Sequence, residues 1–254
     1  MILTLDIGNT NITIGCYREQ ELLFISRMAS DRSRMEDQYA IELRDILDIN
    51  GVSAADITGS IISSVVPPLT SYIARATRKI TRTEPLLVGP GIRTGLNIRI
   101  DNPATLGADL VAGCVAALNR YPCPAIVIDM GTATTISVLN AQKVMIGGCI
   151  LPGIRTSLDA LCARTAQLPQ IGLEAPRTVI GTNTIDCMAA GTVFGSAAML
   201  DGMCDRIEAE LGAPCTVIAT GGLAHEITPY CRRSILLDEN LLLDGLRLLY
   251  ERNQ

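Results

Sequence analysis

The chain is poor in aromatic residues: it has no Trp, two Phe and six Tyr, or 3% of 254 residues. It is also short of positive charge, with 21 Lys and Arg against 26 Asp and Glu for a net charge of −5. Nucleic-acid binding draws on a cationic surface and often on stacking rings, and both shortages argue against it. A single histidine, His225, leaves no pair for acid–base catalysis and no His-rich metal site. It is expected to be an ordinary surface or capping residue. The nine cysteines include no C-x-x-C pair, so they are expected to be reduced, buried thiols without a zinc framework. No apolar run approaches the ~18 residues needed to cross a bilayer. The first strand is expected to start at Met1, so no signal or transit peptide is expected. These absences are expected of a cytoplasmic protein with neither nucleic acid nor membrane as partner.

What is present begins at once. Met1–Ile7 is a short apolar run containing Asp6, the chain turns through Gly8, Asn9 and Thr10, and Asn11–Tyr17 resumes an alternating pattern. That pattern predicts two antiparallel strands joined by a tight polar turn, with Gly8 free to take φ > 0. A carboxylate beside a turn rich in amides and hydroxyls suits a Mg-bound phosphate. Asp6 would face the metal, and the turn amides with Thr10 would hold phosphate oxygens. Residues 125–138 repeat the design, an apolar strand ending in Asp129-Met-Gly131-Thr132 followed by a β-branched alternating strand. Asp6 and Gly8 align with Asp129 and Gly131 at an offset of 123 (129 minus 6). Internal similarity on this scale predicts a duplicated half.

With 48% hydrophobic and 19% charged residues, the chain is globular and has ample core. Strands are expected at Glu21–Met28, Gly59–Val66, Lys143–Ile150, Val217–Ala219 and Arg232–Leu237. Helices are expected at Glu36–Ile49, Leu69–Thr81, from about Asp109 through Leu118, Ile154–Ala166, Thr184 to about Leu211, and Asn240–Tyr250. The alternation argues for an α/β domain. Asp109 falls in the first turn of its helix, where the dipole favours a carboxylate. The long helix carries Ala189, Ala190, Gly191, Gly195, Ser196, Ala197 and Ala198, small residues that suit a tight core helix or a subunit interface. Thr220-Gly221-Gly222 follows a strand and lets backbone approach a flat ligand closely.

Together these motifs resemble the actin/Hsp70/sugar-kinase superfamily and, within it, type III pantothenate kinase. The likeness runs through Asp6-Ile-Gly-Asn-Thr-Asn11, Ser64-Val-Val-Pro67, Asp101-Asn-Pro…Gly107-Ala-Asp109, Asp129-Met-Gly-Thr-Ala-Thr134, Gly147-Gly-x-Ile-x-Pro152-Gly153, Gly181-x-Asn183-Thr184 and Ala219-Thr-Gly-Gly222. The resemblance implies duplicated ribonuclease-H-like, actin-like ATPase halves, with mixed sheets flanked by helices and a central cleft. The halves would be 1–120, with the first phosphate loop and substrate segment, and 121–254, with the second phosphate loop, adenosine turn and dimer helix.

It also implies that ATP phosphorylates pantothenate to 4'-phosphopantothenate, the first step of coenzyme A biosynthesis. Asp6, Ile7, Gly8, Asn9, Thr10, Asn11, Ile12 and Thr13 would form the first ATP loop, with Asp6 facing Mg2+. Thr132, Gly221 and Gly222 would complete the ATP contacts, and Asp129 would hold a monovalent cation, K+ or NH4+. Gly107, Ala108, Asp109 and Leu110 would line the pantothenate pocket, with Asp109 as the catalytic base. Thr184 would reach pantothenate across a homodimer interface. One position departs from the family pattern, which usually has Arg where this chain has Leu110. Arg93 or Arg99 could supply that charge. The retained Asp6, Asp109 and Asp129 favour an enzyme over a catalytically silent nucleotide-binding regulator. The Asp-Asn-Pro…Gly-Ala-Asp segment favours pantothenate over another small hydroxyl substrate.

Overall fold

A computed structural model describes residues 1–254 as two compact units. The first comprises Met1–Leu96, Asp101–Ala116 and Leu241–Gln254, and the second Asn97–Ile100 and Ala117–Asn240.

The first unit holds β1 (Ile2–Ile7), β2 (Asn11–Arg18), β3 (Glu21–Ala29), α1 (Glu36–Ile49), β4 (Gly59–Ser64), α2 (Pro67–Thr81) and β5 (Leu86–Leu87). Its sheet runs β3-β2-β1-β4-β5, antiparallel from β3 to β1 and parallel from β1 to β5. Leu3, Leu5, Ile7, Ile12, Ile14 and Ile62 turn one face into a core with Tyr39, Leu43, Leu47, Leu69 and Ile73 of the two helices. The helical spacing of those last residues is what makes α1 and α2 amphipathic. Pro67 and Pro68 end the strand pattern and occupy the first turn of α2, where a missing N–H costs nothing.

The short strand β6 (Asn97–Ile98) belongs to the second unit, and α3 (Ala108–Arg120) follows it. Next come β7 (Ala125–Met130), β8 (Ala133–Leu139), β9 (Val144–Pro152), α4 (Ile154–Arg164), α5 (Thr184–Leu211), β10 (Thr216–Thr220), α6 (Ala224–Ile227) and β11 (Leu236–Leu237). The final helix α7 (Leu241–Arg252) packs in the first unit. The second sheet runs β11-β10-β7-β8-β9-β6. Apart from β6, strand order and direction repeat those of the first sheet. Even the register shift recurs, between Cys16 and Tyr17 in β2 and between Val138 and Leu139 in β8.

Three expectations change. Gly8 is not among the glycines with positive φ; a Cβ there would lie 3.1 Å from the Asn11 carbonyl, so close approach is what favours glycine. Arg232–Leu237 is strand only at Leu236–Leu237, because the Arg232 and Arg233 amides donate to the Asp201 carboxylate at 2.8 and 3.3 Å. The helix α5 is, by length and composition, long and apolar enough to cross a membrane, although no uninterrupted apolar run signals it. In the fold, Met188, Val193, Ala197, Leu200 and Cys204 of this helix pack into the core of the second unit. The nine cysteines are all free thiols, and His225 is an exposed residue 3.3 Å from Glu226.

Candidate active site

The first turn is held from behind. Gly8 N–H donates to the Asn11 carbonyl at 3.0 Å, which closes the turn on itself. Ser30 then secures both ends: its Oγ donates to the Gly8 carbonyl at 2.6 Å and its N–H to the Thr10 carbonyl at 3.0 Å. With those carbonyls occupied on the protein side, the exposed Asn9 and Thr10 form the tip. Ile7 and Ile12 are fully buried, so they can offer a ligand backbone but no side chain. Asp6 pairs with Thr13 across the ladder, and both are half-buried.

The second turn is one residue shorter and is anchored by α4. The Thr132 carbonyl accepts from Gly153 N–H at 3.1 Å and from the Thr156 hydroxyl at 2.8 Å. A side chain on Gly153 would strike that carbonyl. Asp129 pairs with Thr135 on one side and with Thr220 on the other. Gly221 has φ +93°, and a Cβ there would lie 2.5 Å from Asp129 Oδ1 and 2.6 Å from Met130 N. Only glycine tolerates that combination of backbone and contact. The Thr-Gly-Gly turn is therefore packed against the second carboxylate.

Asp109 stands in the first turn of α3, with its Oδ1 accepting from Leu110 N–H at 2.8 Å. Its carboxylate folds over Gly107, where any side chain would displace it. Burial pushes its pKa above the ordinary carboxylate value, and the hydrogen bonds from Leu110 N–H and its own N–H only partly oppose this. A carboxylate so placed is a better proton acceptor than an exposed one. In the preceding segment Asn102 Oδ1 accepts from Ala104 N–H at 3.3 Å, and the Thr105 hydroxyl donates to the Asn102 carbonyl at 2.8 Å. Leu110 is half-buried, and Arg93 and Arg99 are exposed.

In the second unit, Asn183 caps α5 by accepting from Asp186 N–H at 2.9 Å, which presents Thr184 at the exposed helix start. A groove of about 880 Å³ runs between α4 and α5, lined by residues including Leu158, Leu161, Thr184, Cys187 and Gly191. The fold brings Thr13 and Ser63 to either side of Asp6. Motif spacing does not single out Ser63, because its place beside Asp6 follows from the parallel register of β4 on β1.

Comparison with known proteins settles the family. A model of type III pantothenate kinase matches residues 2–206. The chain belongs to the type III pantothenate kinase family. It is 43% identical, over the full length of both chains, to the type III pantothenate kinase of Halalkalibacterium halodurans. Among solved structures, a conserved candidate Baf family transcriptional activator from Campylobacter jejuni superposes with a TM-score of 0.64 at 20% identity, covering 99% of this chain and 98% of that one. A candidate 2-dehydro-3-deoxygalactonokinase from Sinorhizobium meliloti follows at 0.56 and 14%, covering 99% and 96%. At these identities the superpositions speak for the fold alone, the mixed α/β architecture of actin-like ATPases and sugar kinases.

Proposed function

We propose that this chain transfers the γ-phosphoryl group of ATP to the primary hydroxyl of pantothenate, the entry reaction of coenzyme A biosynthesis. Family membership over the whole chain supports the reaction. The burial-raised Asp109 carboxyl is the observation that carries the chemistry.

Asp109 accepts the hydroxyl proton as the oxygen attacks phosphorus. A loose, metaphosphate-like transition state asks little of the nucleophile, so a carboxylate is base enough to orient the hydroxyl and take its proton late. Gly107, Ala108 and Leu110 line the acceptor pocket. Residues Asp6 to Thr13 take the β- and γ-phosphates, Thr132 contacts a phosphate, and Gly221 with Gly222 admits the adenosine. The donors at the first turn are all oxygens, the set a hard divalent ion prefers, and Asp6 is the residue that would face Mg2+. When bound, the divalent ion neutralises phosphoryl charge. Asp129 is assigned to K+ or NH4+. Most of the acceleration comes from holding hydroxyl and phosphorus in line.

Leu110 stands where the family pattern usually has Arg, and Arg93 or Arg99 is assigned the charge-assisted contact to the substrate or to neighbouring carboxylates that the Arg would make. Pantothenate affinity that is unmoved by both Arg93→Ala and Arg99→Ala would remove that assignment. The groove beside α5, with Leu161, Val179, Ile180 and Ile185 exposed nearby, supports a homodimer in which Thr184 serves the partner's substrate. The reaction is tested by following ADP release with ATP, Mg2+ and pantothenate, together with the phosphorylated product by mass spectrometry. Product made by wild type and lost in Asp109→Asn supports the kinase. ADP release without phosphopantothenate would replace pantothenate with another acceptor.

A further inference from the structure

The strand β4 runs parallel to β1, and the register sets Ser63 beside Asp6. The antiparallel register on the other side sets Thr13 there. Register partners share a face of the sheet, so Thr13, Asp6 and Ser63 form one polar row. The opposite face carries the apolar core. Ser63 has no accessible surface, yet its Oγ has no hydrogen-bond partner. A buried, unpaired hydroxyl costs about 1–3 kcal/mol, so packing alone would favour alanine at this position. The second unit repeats the arrangement with Thr135, Asp129 and Thr220. A hydroxyl thus stands at the same register position beside each carboxylate, on strands that are far from it in sequence.

We propose that Ser63 is a positioning residue for the divalent cation of ATP, its hydroxyl completing the oxygen set at Asp6 through a water of hydration. The inference rests on the kinase reading and deepens it. A carboxylate flanked by two hydroxyls is the donor chemistry of a hard cation, and outer-shell partners orient the ligating carboxylate. Ser60 provides an internal control. It lies on the same strand, is equally buried and has an equally unpartnered Oγ, but it pairs with Leu3 on the apolar face.

The test measures Mn2+ binding in the presence of ATP by electron paramagnetic resonance, with thermal unfolding of the metal-free protein alongside. Ser63→Ala is expected to weaken Mn2+ about tenfold, while the metal-free Tm is unchanged or raised. Ser63→Cys, close to isosteric, should weaken it in the same direction. Ser60→Ala should match wild type in Mn2+ binding. If Ser63→Ala binds Mn2+ as wild type does, the assignment of Ser63 is overturned and the kinase reading stands. Equal weakening by Ser60→Ala also overturns it, because any lost hydroxyl would then suffice. If wild type shows no ATP-dependent Mn2+ binding, the kinase reading falls and this inference with it.

Discussion

The two hairpins share one strand plan and differ where they turn. In the first, Gly8, Asn9 and Thr10 make the loop, and Ser30, just past the third strand, pins its carbonyls. In the second, Gly131 and Thr132 suffice, and the anchor is the start of α4. The missing residue shows in the numbering: Asp6 to Asp129 is an offset of 123, and Thr13 to Thr135 is 122 (135 minus 13). The carboxylates also differ in their surroundings. Each lies beside a buried hydroxyl, Ser63 or Thr220, but only at Asp129 does a glycine turn, at Gly221, pack its backbone so close that a Cβ would not fit. The strand ladder fixes where a carboxylate stands, and the turn and its anchor decide what it can hold.

The largest expected effect comes from a residue outside the duplicated hairpins. Asp109→Asn should lower turnover by about 10²–10⁴-fold, the range for a lost general base. Because burial raises this pKa, the folded protein binds the proton more tightly than the unfolded chain. The associated stability is fully present below the unfolded value near 3.8 and is lost as pH rises through the raised folded value. Asp109→Asn should therefore unfold at an equal or higher Tm near neutral pH. The acid limb of kcat/KM should lie above the ordinary carboxylate range. A variant that loses both activity and stability would break this account of Asp109.

Next in size is the contact that sets the second hairpin apart. Gly221→Ala must place a Cβ at φ +93° against Asp129 and Met130, and should cost about 1–3 kcal/mol in thermal or denaturant unfolding. Gly222→Ala meets nothing within 4 Å and should stay within about 0.5 kcal/mol of wild type. Equal effects would show that the turn is not packed on the carboxylate. Smaller still is the cap of α5. Asn183→Ala removes the acceptor for Asp186 N–H and should cost roughly 1 kcal/mol by unfolding.

Local signals carried most of the elements. The helix α1 is legible from end to end, because Tyr39, Leu43 and Leu47 recur at helical spacing and every one is buried. Asp6, Asp129 and Asp109 were legible because each lies beside a glycine turn or a helix start, both features of short range. What stayed hidden depends on distant partners. A short strand is legible within Gly91–Ile100, but that β6 pairs with Val144 and Met145 is not. The Arg232–Arg233 stretch looks like strand until Asp201 claims its amides. The return of α7 to the first unit is written in contacts such as Tyr17 OH donating to Asp244 at 2.9 Å, which no local pattern encodes. Ser63 belongs with these, since its place beside Asp6 follows from register.

The most direct test of the account is a paired cation titration of ADP release with pantothenate, varying Mg2+ and K+ independently. Wild type, Asp6→Asn and Asp129→Asn are compared. The account predicts that Asp6→Asn raises the Mg2+ requirement about tenfold or more with little change in that for K+. Asp129→Asn should do the reverse. Variants that shift both requirements together, or a wild type indifferent to K+, would contradict the assignment of one ion to each hairpin.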